Sequence, residues 1–289
     1  MGLRLKFNLA LLAACAVGLI VAAIVLHRVL IASAREEVLR NASIMMTAAN
    51  AIRAYTSQEI VPVTPAEKNG KFVPQTVPAY AAQRNFQAVQ AAFAGYSYRE
   101  AALNPTNLAN RAQDWEADII NGFRSEPVPE RIVERDTPLG PVLYLARPIT
   151  VHDEACLTCH TAPSVAPASM TRAYGLTNGF GWKLNETIGA QILSVPMAVP
   201  LRLAQTAFQT FLMVVVAVLA VIVIVLNILL HYLVIRPVAR VSRMADAVSL
   251  GEPDVEVYVK PGKDEISSLS VSFNRMRESL DKAMEMLKG

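Results

Sequence analysis

The sequence has little charge, little net charge and little cysteine. Of its 289 residues only 18% are charged, against about 25% in ordinary soluble domains, whereas 53% are hydrophobic. So apolar a composition excludes a disordered chain and argues against a purely soluble protein. The net charge of +3 is too small to indicate nucleic acid as a partner, and we expect none. Three cysteines are too few for a small scaffold held together by disulfides.

The hydrophobic residues are concentrated in two long runs. Residues 9–26 carry no charged side chain, and about 20 apolar residues in a helix are enough to cross the hydrocarbon core of a bilayer. The second run covers residues 208–235, where Asn227 and His231 are the main polar interruptions. Membrane lipid is therefore an expected partner. The predicted transmembrane helices cover residues 9–32 and 207–235.

Basic residues flank the two runs and predict their orientation. Arg4 and Lys6 precede the first run, and Arg236 closely follows the second. Because cytoplasmic flanks carry an excess of Lys and Arg, both termini are predicted to be cytoplasmic. Residues 1–8 then form a short cytoplasmic N-terminus, and residues 33–206 lie in the periplasm of a bacterial inner membrane.

A cleaved signal peptide is the alternative for the first run, because a charged start and an Ala-rich core fit one. The run is long, however, and its Ala13-Ala14-Cys15 segment lies in the middle rather than at the end. We therefore expect an uncleaved anchor, in which Cys15 is a small buried apolar side chain.

Residues 156–160, Cys-Leu-Thr-Cys-His, form the sharpest chemical pattern in the outer segment. C-x-x-C-H is typical of c-type haem attachment. Two thiols separated by two residues can reach both vinyl groups of one haem, and the adjacent imidazole can meet the iron. The sequence therefore predicts one haem c, covalently bound through thioethers from Cys156 and Cys159, with His160 as the proximal iron ligand.

Three other interpretations of this pattern are open. A redox-active dithiol should open a helix after a strand, whereas residues 161–167 contain two prolines and predict a loop. A zinc site could use His152, Cys156, Cys159 and His160, but the adjacent Cys159 and His160 would both have to face one ion. A disulfide between the two cysteines would be strained.

The outer segment changes period along its length. Helical patterns come first, at residues 34–60, 80–94 and 108–123. Alternating patterns at 132–135 and 142–149 flank a turn at 137–140 and predict a hairpin, and those at 180–183 and 188–195 predict a second one. Helices followed by hairpins indicate an α+β domain with an antiparallel sheet, and the C-x-x-C-H loop lies between the hairpins.

Six motifs follow one another along the outer segment: residues 51–56 (AIRAYT), 104–107 (NPTN), 114–116 (DWE), 146–149 (ARPI), 156–160 (CLTCH) and 179–182 (GFGW). On these motifs the outer segment resembles the periplasmic c-type haem, PAS-like domain of bacterial sensor proteins over residues 35–200. The resemblance implies a PAS-like antiparallel-sheet haem domain between the two transmembrane helices, with haem c beside a long N-terminal helix.

The same resemblance implies that the N-terminal helix faces the distal side of the haem, where a cysteine is the sixth ligand in some relatives. This sequence has no cysteine between Cys15 and Cys156, and the corresponding place falls near Tyr55. A tyrosine can bind ferric haem as a phenolate, although a tyrosine more often packs with its hydroxyl hydrogen-bonded.

Other sixth ligands are also open. Met45 and Met46 lie on the same helix and Met170 in the haem loop, although methionine more often fills a core. His152 is only four residues before Cys156 and is expected to stay near the attachment edge. A vacant sixth site, open to a gas or to water, is the remaining alternative. Arg147 and Arg172 are candidate partners of the haem propionates, or else exposed surface arginines.

Pro237, the turn at Gly251, residues 264–266 (DEI) and residues 273–276 (FNRM) mark the C-terminal segment. On these residues it resembles a HAMP domain over residues 234–287, and we place the domain at 236–289. The second of its two helical patterns has apolar residues 3, 4, 3 and 4 apart, a heptad seam that needs a partner helix. HAMP modules form parallel four-helix bundles from two chains, so the resemblance implies a homodimer through the HAMP and transmembrane helices. A plain amphipathic hairpin is the alternative. The seam consists of Ile266, Leu269, Phe273, Met276 and Leu280.

These features predict a membrane-bound c-type haem sensor that detects redox state or a diatomic gas in the periplasm. No kinase, cyclase or chemoreceptor segment follows the HAMP-like residues in the sequence, so a separate cytoplasmic signalling partner is expected. The alternative is a membrane-anchored monohaem cytochrome for electron transfer, or an accessory subunit of a redox complex. The sequence shows no acid–base constellation near the motif that would support catalysis, so we do not expect an enzyme.

Overall fold

The computed structural model describes residues 2–138, 140–252 and 255–288. Five residues of predicted segments lie outside the described residues: Met1, Leu139, Pro253, Asp254 and Gly289. The chain divides into two units. The sheet unit is Arg28–Thr206, and the helical unit combines Met1–His27 with Ala207–Gly289.

The described residues form eight α-helices and six strands, with short 3₁₀ and π turns between some of them. The helices are α1 (Leu3–Tyr55), α2 (Pro78–Ala92), α3 (Asp114–Ser125), α4 (Leu157–His160), α5 (Ala168–Tyr174), α6 (Ala198–Leu229), α7 (Arg236–Ser249) and α8 (Glu265–Lys288). The strands are β1 (Glu67–Lys68), β2 (Lys71–Phe72), β3 (Ser97–Ala102), β4 (Arg131–Thr137), β5 (Gly140–Thr150) and β6 (Thr187–Pro196).

Both apolar runs lie in helices that are long and apolar enough to cross a membrane, and these two helices flank the sheet unit in sequence. Large apolar side chains such as Leu12, Val17 and Ile20 are more than half exposed, as expected for side chains that face lipid. In α1 the apolar run and the following helix are one element. The first proline is Pro62, so no earlier residue lacks a backbone donor.

A four-stranded antiparallel sheet with the order β3-β6-β5-β4 forms the centre of the sheet unit, and the predicted mixed helix-and-sheet class is confirmed. The hairpin predicted from residues 132–149 is confirmed as β4 and β5. The second predicted hairpin is wrong, because residues 180–183 form no strand and β6 pairs with β3 and β5 instead. Gly179 and Gly181 have φ values of 82° and 81°, which an extended strand cannot accommodate.

In the first half of the sheet unit, the start of one helix and the presence of one strand differ from the prediction. The helix predicted from residue 108 begins only at Asp114, after a 3₁₀ turn at Leu108–Asn110. The Glu116 carboxylate accepts a hydrogen bond from the backbone nitrogen of Gln113 at 2.8 Å, which fixes the start of α3. Strand β3 was not predicted, because its sequence SYREAA places charged residues where alternation would need apolar ones.

Buried side chains pack on both faces of the sheet. Successive residues of a strand point to opposite faces, so Tyr98 joins one cluster and Ala101 the other. The first cluster joins α1 and α2 to the sheet through Val38, Ala42, Met46, Ala49, Phe86, Leu143, Leu145, Leu193 and Val195. The second joins α3 to the opposite face through Ile119, Ile120, Phe123, Ala146 and Ile192.

In the helical unit, α7 and α8 are joined by an extended connector that α8 holds by hydrogen bonds. The Asn274 side-chain amide donates to the carbonyl of Tyr258 at 3.0 Å, and the Ser270 hydroxyl accepts from the backbone of Lys260 at 3.0 Å. Part of the predicted heptad seam stays exposed in the single chain. Its exposed members are Leu269, Met276 and Leu280.

Candidate functional site

The C-x-x-C-H motif forms one tight turn of helix. A 3₁₀ turn at Glu154–Cys156 leads directly into α4, and Asp153 begins it by accepting a hydrogen bond from the backbone of Ala155 at 2.8 Å. Residues three and four apart share one side of a helix, so Cys156, Cys159 and His160 lie on a common side. Neither thiol is in a disulfide, and the Cys156 side chain is exposed.

The imidazole of His160 is fixed from two directions. Its Nδ1 lies 2.7 Å from the carbonyl oxygen of Gly179, and its ring stacks on Trp182 with centroids 3.8 Å apart and an interplanar angle of 10°. Because a carbonyl can only accept, Nδ1 carries the proton and Nε2 keeps its lone pair. Burial lowers the pKa of His160, although the bond to Gly179 opposes this. A neutral ring with a free Nε2 is the form that ligates a metal.

A clamp built from two distant motifs holds the Gly179 carbonyl in place. We define it as residues 104–106 and 178–182. The Asn104 side chain accepts from the backbone of Gly179 at 3.2 Å and donates to the carbonyl of Phe180 at 3.3 Å. The backbone of Trp182 donates to the carbonyl of His160 at 3.3 Å. The NPTN, CLTCH and GFGW motifs therefore meet around one imidazole, although up to 78 positions separate them in the sequence.

Gly179 is the position in the clamp that must be glycine. Its φ is +82°, and a Cβ there would lie 2.0 Å from the hydroxyl oxygen of Thr106 and 2.7 Å from that residue's Cα. The same hydroxyl lies 3.4 Å from Nδ1 of His160. Any side chain at this position would therefore push the clamp away from the imidazole.

The structure shows the surroundings of the candidate sixth ligands on α1. Met46 is fully buried in the first apolar cluster, and Met45 packs against the same cluster while partly exposed. The Tyr55 side chain is 59% exposed, and it has no hydrogen bond or ring contact among the described residues. No described contact joins any of the three to His160, and their ligand roles stay predictions.

The other candidates from the sequence already have protein partners or lie at the surface. Arg147 pairs with Glu130 at 3.2 Å, and Arg172 donates to the carbonyl of Gly70 at 3.0 Å, which holds α5 on the β1–β2 hairpin. Met170 is buried within α5, and His152 is exposed. Among the described residues no three His, Cys, Asp or Glu side chains form a metal-binding group, so the geometry gives the zinc interpretation no support.

Arg53, near the C-terminal end of α1, is a residue that the sequence-based predictions did not include among the site candidates. Its Nη1 donates to Oε2 of Glu100, and the Tyr98 hydroxyl donates to Oε1 of the same carboxylate at 2.7 Å. Burial alone would lower the pKa of Arg53, but the Glu100 charge raises it overall. Burial and then Glu100 raise the pKa of Tyr98.

Arg53 is also electrostatically coupled to the attachment motif. Although Cys156 is exposed at its surface, partial burial of the thiol raises its pKa, as does the charge of Asp153, whereas the positive charge of Arg53 opposes the shift. The signal in the sequence is a spacing: Ala42, Met46, Ala49 and Arg53 are 4, 3 and 4 apart, which places a charge in line with core positions.

Comparison with known proteins gives two family matches and one similar structure. A model of the Tll0287-like family matches residues 31–196, more than half of the chain, and a HAMP domain model matches residues 229–282. Among solved structures, the cyanobacterial heme-protein Tll0287 is 16% identical, with a TM-score of 0.44, over 55% of this chain and 95% of that one. No curated protein matches the chain. The predicted resemblance is confirmed: the chain belongs to the Tll0287-like family, and a HAMP domain follows the family domain.

Proposed function

We propose that this protein is a two-pass membrane sensor that carries one haem c in a periplasmic domain and passes its state through HAMP to a cytoplasmic partner. A haem-protein-like domain joined to a HAMP domain and two candidate membrane helices indicates a signal-transducing membrane protein. The observation that carries the haem assignment is the imidazole of His160. It is held with Nε2 free, directly after the free thiol of Cys159 and one helical turn from that of Cys156.

The residues of the motif fit a covalently attached haem. Cys156 and Cys159 would form the thioethers and Nε2 of His160 would bind the iron, while Gly179 and Trp182 keep the ring oriented. The loop after the motif exposes Val165 and Leu176, apolar side chains that a porphyrin would cover. A bound haem supplies an iron that changes oxidation state and can take a diatomic ligand.

The chain connects this site to the HAMP helices without a flexible linker. Residues 183–186 join the clamp to β6, only Met197 lies between β6 and α6, and α6 runs through a π turn at Leu230–Ile235 into α7. Packed elements move between discrete arrangements rather than deforming continuously. A change at His160 that displaced residues 178–182 would therefore reach α7 through regular secondary structure.

The remaining features agree with this arrangement. Arg4, Lys6 and Arg236 favour cytoplasmic termini and, with them, a periplasmic sheet unit. A second copy of the chain would cover Leu269, Met276 and Leu280 of α8, which gives a homodimer through HAMP.

The first test is the absorption spectrum of the full chain, expressed with haem maturation and held in nanodiscs. We expect a covalent c-type haem that survives denaturation, and its loss in a Cys156→Ala, Cys159→Ala double variant. Cys15→Ala, which removes the third cysteine, is the matched control and keeps the haem. A wild-type chain without covalent haem would contradict the proposal.

The second test separates a sensor from an electron carrier. The exposed position of Cys156 also suits electron exchange with a redox partner, so a membrane-anchored cytochrome is the second candidate. Spin labels on α8 should report a distance change between two chains when the haem is reduced or binds CO or NO. An unchanged distance in every state would favour the cytochrome.

A further inference from the structure

Arg53 occupies a core position of α1 that an apolar residue would normally fill. The residues of α1 that face the sheet are Ala42, Met46 and Ala49, all fully buried, and the next residue of the series is Arg53. Thr56, one turn further, is buried as well. The guanidinium is therefore carried on the inner face of the helix, whereas Tyr55 lies on the exposed face.

Glu100 and its neighbours hold one side of this guanidinium. The Arg53 side chain is 26% exposed and that of Glu100 only 4%. The Gln191 amide donates to the Tyr98 hydroxyl at 3.1 Å and to the Asn50 side chain at 2.7 Å, so the network joins α1, β3 and β6. A buried charge is costly to desolvate and persists only when it is paired. Both carboxylate oxygens of Glu100 are satisfied here.

The network lies near the end of the sheet at which β3 and β5 finish and β6 begins, and the chain leads from this end to the haem motif. Glu100 faces Gln191 across the β3–β6 pair, and two residues further Ala102 faces Gly189. At the same end of the sheet β5 finishes at Thr150, six residues before Cys156. The clamp begins at Asn104, four residues after Glu100. The charge of Arg53 is close enough to act on the Cys156 thiol.

The guanidinium has donors to spare. Arginine carries five N–H donors, and only Nη1 of Arg53 has a hydrogen-bond partner among the described residues. None of its nitrogens is a buried atom without a partner, so the unused donors are accessible. Arg147 and Arg172, by contrast, are engaged with Glu130 and Gly70.

We propose that Arg53 is the cationic residue of the haem pocket, fixed by Glu100 so that its charge and its free N–H donors face the haem edge that Cys156 holds. The inference rests on the proposed haem c. A positive charge stabilises the reduced iron relative to the more positive oxidised one, so Arg53 raises the reduction potential. Glu100 partly offsets this charge. The pair thereby tunes the site and attaches α1 to it.

The test is a redox titration of the full chain in nanodiscs, after covalent haem has been verified for each variant. Arg53→Gln leaves Glu100 unpaired and should lower the midpoint potential. Glu100→Gln leaves Arg53 without its counter-charge and should raise it. Opposite shifts from two partners of one pair are not expected from a merely structural role. Arg53→Lys, which keeps the charge, should stay near wild type.

The matched control is Arg99→Gln. Arg99 and Glu116 form an ion pair of nearly equal burial, with side chains 32% and 2% exposed, that packs on the other face of β3. Its loss should leave the midpoint potential unchanged. Equal shifts of the midpoint potential in Arg53→Gln and Arg99→Gln would overturn the inference and leave the proposed function standing. An unchanged potential in haem-loaded Arg53→Gln or in haem-loaded Glu100→Gln would do the same. A wild-type chain without haem would overturn the proposed function as well. If Arg53→Gln does not fold, a raised midpoint potential in Glu100→Gln together with a wild-type potential in Arg53→Lys supports the inference, and any other combination overturns it.

Discussion

Strand β3 carries two buried ion pairs at adjacent residues, one on each face of the sheet. Glu100 faces α1 and pairs with Arg53, whereas Arg99 faces α3 and pairs with Glu116 at 3.2 Å. The burial of the two carboxylates is nearly the same. The two pairs therefore allow the effect of position to be separated from the effect of burial.

The surroundings of the two pairs differ. Glu116 also accepts from the backbone of Gln113, and Arg99 donates to the carbonyl of Arg111, so this pair closes the start of α3. The Nε of Arg99 is buried and lies within ion-pair distance of Glu116, but it is not aligned for a hydrogen bond. The Arg53 pair instead leaves donors of the guanidinium free. In our proposal the same kind of ion pair therefore stabilises the fold on one face of β3 and tunes the haem site on the other.

The largest expected effect comes from removing either carboxylate. Glu116→Ala and Glu100→Ala each leave an arginine buried without its partner, and breaking a buried pair costs about 3–5 kcal/mol of unfolding free energy. We expect the larger loss for Glu116→Ala, because Glu116 also fixes the start of α3. Denaturant unfolding of the full chain in nanodiscs, followed by circular dichroism, measures both. An equal or larger loss for Glu100→Ala would contradict a mainly structural role for the Arg99 pair.

A smaller effect is expected from Gly179→Ala, which acts on the site and on neither pair. The added Cβ would clash with Thr106 at a backbone conformation that disfavours alanine, at a cost of about 1–3 kcal/mol. His160 should lose its orienting carbonyl, and the ring stack on Trp182 should loosen. Tryptophan fluorescence in a haem-free Cys156→Ala, Cys159→Ala background reports this. Gly2→Ala, which has nothing within 4 Å of the added Cβ, is the control.

The smallest effect is expected from Tyr98→Phe, which removes one donor to Glu100. A hydrogen bond to a charged group contributes about 1.5–3 kcal/mol, and the arginine that still pairs with Glu100 keeps the loss near the lower end. The pKa of Tyr98 is raised above its ordinary value of 10.0, so its contribution is complete below that pH and is lost as the pH rises further. Melting temperatures above pH 10 should therefore fall less steeply in Tyr98→Phe than in wild type. Identical slopes would show that Tyr98 ionises as freely as in the unfolded chain.

Several features could be predicted because adjacent residues encode them. The two apolar runs, the hairpin of β4 and β5, and the C-x-x-C-H motif each depend on a local pattern, and the structure has the expected elements there. The predicted hairpin at residues 180–195 was wrong because its local pattern did not reveal the backbone conformation of two glycines. Its first half has strand-like composition, but Gly179 and Gly181 adopt positive φ so that their backbone can hold His160.

The membrane-compatible helices, the mixed helix-and-sheet class, and the thiols and imidazole of the motif can be inferred from the sequence, since each depends on residue types at short spacing. Which residues surround the motif depends instead on contacts between distant segments. β3 became a strand through pairing with β6, about 90 residues away, and this pairing set Glu100 opposite Gln191. Because α1 packs on that face of the sheet, Arg53 points inward and Tyr55 lies on the exposed side of the helix. The physical reason is that hydrogen bonding between distant segments and the burial of one helix face depend on the whole sheet, which no local pattern contains.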